Sequence, residues 1–184
     1  GDNFIGRSAI DNIKNTGSDS LHFTDNSTKM KNIFTEKDLK LLEEKPCVYY
    51  FHKLSFDLSK PYIEKIKKEN TIVSTAEKND VRYITAYENK KYPFYSTLYH
   101  PEKPLFLKND KKMPKGKATE IVSKKLISFF VNECKKSKNK WIGGNNDADF
   151  FIKNYTLYEK KNKTFKKGPK VPTYLFGEKD KYYV

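Results

Sequence analysis

The sequence predicts an α/β fold, and three observations carry that prediction. Apolar and aromatic β-prone runs recur along the chain. Two segments instead place their apolar residues at helical spacing. Three of the strand-like runs follow one another across short turn clusters, which predicts an antiparallel meander. With 184 residues the chain is long enough to bury a real core, and residues 1–184 read as one domain portion without internal repeats.

Residues 1–32 are polar, with a short strand expected over 20–24. His22 lies in it and reads as structural. A helix is expected over 35–44. Thr35 can cap it, and Asp38 stands three residues on, where a carboxylate can return to the cap backbone. Leu39, Leu41 and Leu42 supply its apolar side, and Pro46 ends it. Cys47-Val48-Tyr49-Tyr50-Phe51 is a continuous apolar run, a buried strand, and His52 closes it. Residues 59–70 read as a short helix with Pro61 in its first turn. Strands over 71–77 and 81–88 meet at Lys78-Asn79-Asp80. After the turn Glu88-Asn89-Lys90-Lys91, residues 94–99 form a third strand, expected to be buried. Pro101 stops it, having no N–H to give. Residues 104–117 read as a basic loop. A long helix is expected over 118–138, with Ile121, Val122, Leu126, Phe129 and Phe130 on one side. A Gly/Asn loop over 141–149 precedes a β-prone stretch at 150–158 and a terminal strand at 171–176.

The formal net charge is +14, from 37 Lys+Arg against 23 Asp+Glu. Nucleic acid is not the reading this supports. The only arginines are Arg7 and Arg82, and the lysines are spread along the chain rather than gathered in a patch. A positive field would also draw in a polyanionic substrate. No run of apolar residues is long enough to span a membrane. Two cysteines, Cys47 and Cys134, make no disulfide framework. No His/Cys/carboxylate cluster or phosphate-binding Gly loop stands out, so no metal and no cofactor are expected. Asn26, Asn154 and Asn162 each open an N-glycosylation sequon, which favours a secretory, lysosome- or vacuole-like or extracellular location.

One stretch carries chemistry. In Tyr99-His100-Pro101-Glu102-Lys103, a histidine and a carboxylate leave the end of a strand one residue apart. A histidine that removes and returns a proton needs one ring nitrogen facing the nucleophile. A carboxylate on the other nitrogen fixes the tautomer and stabilises the imidazolium. The same spacing also describes a surface turn with an incidental histidine.

Tyr92-Pro93-Phe94-Tyr95, followed by Tyr99-His100-Pro101-Glu102-Lys103, resembles the histidine strand of the gamma-glutamyl hydrolases, in the class I glutamine amidotransferase-like superfamily. Ser96 stands where that family usually has Gly, and Tyr99 where it has Trp. The segment Phe51-His52-Lys53-Leu54-Ser55 resembles the family segment that sets a second histidine beside the substrate. Phe129-Phe130-Val131-Asn132-Glu133-Cys134-Lys135-Lys136 resembles a family helix. The resemblance implies His100 and Glu102 as catalytic residues, with His52 and nearby lysines on substrate carboxylates. It also implies a three-layer, flavodoxin-like α/β sandwich with a mainly parallel sheet. This chain would supply the C-terminal half and an antiparallel meander.

The first half of such a domain, with its nucleophilic cysteine on a Gly-rich elbow, has no counterpart here. The chain also does not begin with Met, as a processed or partial product would not. Neither Cys47 nor Cys134 has flanking glycines or a helix start to lower its pKa. The expectation is therefore a cysteine-type hydrolase of gamma-glutamyl bonds, in folate polyglutamates or gamma-glutamyl peptides. It would be active only with an N-terminal half carried elsewhere as its partner, and a homodimer is left open. Half a sheet would expose an unpaired edge, so the lone chain is not expected to fold as a monomer. A catalytically inactive relative with a binding or structural role is the second reading. A glutaminase domain serving a synthetase is the third.

Overall fold

A computed structural model describes residues 12–107 and 110–139, together with the backbone of strands at 157–160 and 171–174. Contacts divide the chain into two compact units, Gly1–Ser137 and Lys138–Val184.

In the first unit the elements run β1 (Asn15–Asp19), β2 (His22–Phe23), α1 (Glu36–Glu44), β3 (Val48–His52), α2 (Ile63–Glu69), β4 (Asn70–Lys78), β5 (Val81–Asn89), β6 (Tyr95–Thr97), α3 (Lys103–Phe106) and α4 (Lys117–Lys135). The architecture is α/β, and every strand pairing among the described residues is antiparallel. One sheet has the order β2-β4-β5-β6, and β1 pairs with β3. In the second unit β7 (Leu157–Lys160) pairs with β8 (Val171–Tyr174). The expected strand over 150–158 otherwise lies outside the described residues, as does the loop at 141–149.

Local chemistry explains most of the boundaries. Thr35 caps α1 in a complete capping box: its side chain accepts from the Asp38 backbone, and the Asp38 carboxylate accepts from the Thr35 backbone. The β4–β5 hairpin turns on Asn79 and Asp80, with φ of 51° and 62°. Both central residues are left-handed, as a two-residue turn that follows the strand twist requires. Gly116 precedes α4 at φ 96°, a conformation other residues avoid.

Three expectations need correction. The strand over 94–99 is neither long nor buried. Pairing with β5 lasts only from Tyr95 to Thr97, half-buried at the sheet edge, and Phe94 is 66% exposed. The reason is a change of partner. Leu98 still donates to the Thr85 carbonyl of β5 at 2.8 Å, but Tyr99 bridges to Tyr50 on β3 instead. The chain thus crosses from one strand pair to the other. Second, the expected loop at 104–117 opens with α3, because Pro104 occupies a first-turn position where its missing N–H costs nothing. Third, α4 buries only its first half. Ala118, Val122 and Leu126 are buried, whereas Phe130 is 62% exposed.

The main core gathers Leu21, Leu42, Val48, Tyr50, Val73, Tyr83, Tyr99 and Val122, drawn from both sheets of the first unit and from α1 and α4. Tyr50 is at its centre, edge-on to Tyr83 at 6.5 Å and to Tyr99 at 6.1 Å. Such aromatic pairs add about 0.5–1.5 kcal/mol each beyond the area they bury.

Candidate functional site

The site is built where β6 hands over to β3. Tyr99 sits opposite Tyr50, and the next residue, His100, donates its backbone N–H to the Tyr49 carbonyl at 3.0 Å. Burial of Tyr99 fixes where the following residues leave the core. Pro101 then turns the chain, and Glu102 returns toward the histidine. Its Oε1 lies 2.9 Å from His100 Nδ1. The side chains keep 34% and 50% exposure, so the pair is open to solvent on one side. Among the described residues no hydrogen bond occupies His100 Nε2. With Nδ1 turned to the carboxylate, Nε2 is the nitrogen available to a nucleophile or leaving group.

His52 is at the end of the neighbouring strand, but on the other side of the ladder. Side chains alternate along β3, so Tyr50 and His52 share one face while Tyr49 and Phe51 share the other. The His52 ring packs edge-on against Tyr50 at 5.7 Å and Tyr83 at 5.6 Å. Both ring nitrogens are buried without a hydrogen bond among the described residues. Burial pulls its pKa below the ordinary imidazole value, opposed weakly by the backbone of Ile13 and Leu54. His100 is opposite Tyr49 and therefore leaves by the Tyr49 face. The structure brings His100 and Glu102 together, while His52 extends from the opposite face of the β3 ladder.

Neither cysteine adjoins the pair as a nucleophile would. Cys47 is buried at the start of β3, with Sγ 3.4 Å from the Leu42 carbonyl, and desolvation pushes its pKa up to about 12. Cys134 is exposed near the end of α4. Among the described residues no group of His, Cys and carboxylates could hold a metal ion. No helix among them is long and apolar enough to cross a membrane. Of the sequons, only Asn26 lies in the described residues. It is exposed, yet its amide donates to the Ile72 carbonyl at 3.1 Å, and Thr28 is buried. Asn154 and Asn162 lie outside them.

The contacts that Lys103 and Tyr95 make at this site are not readable from local sequence. The Lys103 ammonium lies 5.7 Å from the Tyr49 ring centre and 5.0 Å from that of Phe51, on the face His100 uses. The alternation of Tyr49 and Phe51 was the one available signal, and it does not name the cation. Behind the strand, Tyr95 donates to Glu133 at 2.7 Å, tying β6 to α4. Its ring also packs against Phe129 at 4.8 Å. No local pattern announces a bond between residues so far apart in the chain.

Comparison with known proteins gives matching answers. The chain is 32% identical over 124 residues to gamma-glutamyl hydrolase of Homo sapiens, covering 65% of this chain and 39% of that protein. It is 29% identical over 109 residues to gamma-glutamyl hydrolase B of Dictyostelium discoideum, covering 59% and 30% respectively. Gamma-glutamyl hydrolase of Rattus norvegicus is 29% identical over 124 residues, covering 64% and 38%. The matched stretch is thus less than two fifths of each of these relatives. No family model matches the chain.

Proposed function

We propose that this chain, a relative of the gamma-glutamyl hydrolases through a partial, C-terminal region, carries the proton-transfer half of a cysteine-type hydrolase. The nucleophile would come from an N-terminal part outside this sequence. The observation that carries the reading is the His100 Nδ1–Glu102 Oε1 pair at 2.9 Å, on a turn fixed by Tyr99.

In the assembled enzyme a cysteine thiolate attacks the gamma-amide carbon. The tetrahedral intermediate collapses, and His100 Nε2 gives its proton to the departing amine. Water then enters, loses a proton to the same nitrogen and breaks the thioester, which returns the thiol and a free gamma-carboxylate. Glu102 holds the imidazole in the useful tautomer and stabilises its protonated form. Folate polyglutamates and gamma-glutamyl peptides are the substrates this chemistry fits. The whole domain would be a three-layer α/β sandwich, its parallel strands drawn from the missing half. A secretory or lysosome-like route, with a glycan at Asn26, is the matching location.

Intact-mass analysis of native material under denaturing conditions comes first, to find the second polypeptide and its cysteine. Gamma-glutamyl cleavage is then assayed with His100→Ala and Glu102→Gln. His100→Ala should lower kcat by about 10²–10⁴. Glu102→Gln should lower it with little change in KM. Full activity in His100→Ala would end this reading. So would native material that consists of this chain alone, and a binding or structural role would then replace catalysis.

A further inference from the structure

We propose that Lys103 is the specificity residue of this site: its ammonium, held on the Tyr49 and Phe51 rings beside His100, receives the α-carboxylate of the glutamate whose gamma-bond is cut. The inference rests on the hydrolase reading above and adds the group that would select the substrate.

The geometry begins with the ladder. Tyr49 and His100 are opposite one another, joined by the 3.0 Å backbone bond, so their side chains share a face. Lys103 follows His100 by one turn of chain, and its ammonium comes back over that face. It rests 5.0 Å from the Phe51 ring centre and 5.7 Å from that of Tyr49. Both distances are within the range in which an aromatic face attracts a cation.

One feature separates this lysine from the other described lysines: its ammonium reaches two aromatic rings, where Lys91 and Lys125 each meet one. It also makes no ion pair among the described residues, the adjacent carboxylate, Glu102, being turned to His100. A half-buried cation on two rings also keeps less freedom than a solvated lysine, so ordering it around an anion costs less. Phe51 completes the picture. It is 61% exposed on a strand whose preceding residues, Val48, Tyr49 and Tyr50, are all buried. An exposed ring beside a held cation suits a ligand that presents an anion on a short aliphatic spacer.

A gamma-linked glutamate is such a ligand. Its scissile carbonyl is at the end of the side chain, and its free α-carboxylate stands a short aliphatic spacer away. With the carbonyl near His100, the carboxylate would fall toward Lys103 and the spacer along Phe51. An α-linked glutamate keeps its gamma-carboxylate at the same spacing from its scissile carbonyl, whereas a gamma-linked substrate whose α-carboxylate is capped as an amide brings no charge. The contact would therefore select a free carboxylate at this distance from the bond that is cut.

The test uses the assembled enzyme as wild type, Lys103→Met and Lys103→Arg. Two gamma-glutamyl anilides are compared, one with a free α-carboxylate and one with an α-carboxamide in its place. Lys103→Met, which keeps the stem over the rings, should lower kcat/KM on the carboxylate substrate by about 10- to 100-fold, mainly through KM. The carboxamide should change by no more than about twofold, and Lys103→Arg should recover most of the loss. Equal loss on both substrates would make Lys103 a structural residue and overturn the inference, as would no loss on either.

Binding of gamma-glutamylglutamate, followed through the His100 ring signals in NMR, separates the two claims. If wild type cleaves neither anilide but binding weakens in Lys103→Met, the carboxylate site stands and the hydrolase reading falls. If wild type cleaves both and the dipeptide binds Lys103→Met equally well, the hydrolase reading stands and this inference falls.

Discussion

At the scale of single residues, burial decides which way a titratable group shifts. His52 is the clearest case, an imidazole edge-on to Tyr50 and Tyr83 with no hydrogen bond to either nitrogen among the described residues. Its folded-state pKa is pulled below the unfolded value near 6.5. Above that value both states are neutral and the residue contributes nothing to pH dependence. As the pH falls below it, the unfolded chain takes up the proton first and the folded state loses stability, until the folded pKa is passed. His52→Phe should flatten this part of the curve, seen as urea midpoints that no longer drop on mild acidification. An unchanged slope would show that the imidazole is solvated. The cysteines make a second contrast. With its pKa near 12, Cys47 stays a thiol at neutral pH, while Cys134 is exposed. Iodoacetamide should label Cys134 in the native protein and reach Cys47 only after unfolding, as peptide mass mapping would show. Native labelling of Cys47 would mean that the start of β3 opens.

At the scale of elements, turns and caps set the lengths, and packing sets the partners. The hairpin between β4 and β5 places Asp80 at φ 62°, where a side chain is tolerated but glycine is free of strain. Asp80→Gly should raise stability by up to about 1 kcal/mol, read from the thermal or urea transition. A loss would mean that the Asp80 side chain does more than turn the chain. Much of this level was legible in the sequence. Thr35 and Asp38 announced the start of α1, and Lys78-Asn79-Asp80 announced the hairpin. The length and burial of β6 were not legible. Residues 94–99 are β-prone throughout, but only Tyr95–Thr97 pair with β5; Leu98 gives it one last bond, at Thr85, and Tyr99 leaves it for β3. α4 misled in the same way. Its apolar stripe runs to Phe130, but buried partners reach only as far as Leu126 among the described residues.

At the scale of the whole molecule, the +14 charge becomes a statement about rates. Spread lysines make a field rather than a patch, and a field concentrates polyanions near a site without reading them. For the assembled enzyme, kcat/KM on a long gamma-glutamate chain should fall with rising salt. On a single gamma-glutamyl amide it should fall much less. Parallel salt dependence for the two would leave the lysine content without a role in capture.

What the sequence determined by itself is what short spacing can encode: the α/β class, the caps and turns, and the His100–Glu102 pair one residue apart. What only the tertiary structure decided is which side chains share a face. His52 and His100 both end strands, and nothing local distinguishes them. The register Tyr50 to Tyr99 sets the His52 ring against Tyr50 and Tyr83 on one face and leaves His100 on the Tyr49 face. The same register carries Lys103 back over Tyr49 and Phe51. A ladder register is fixed by burial across segments some fifty residues apart, so slipping it by one position would exchange the faces.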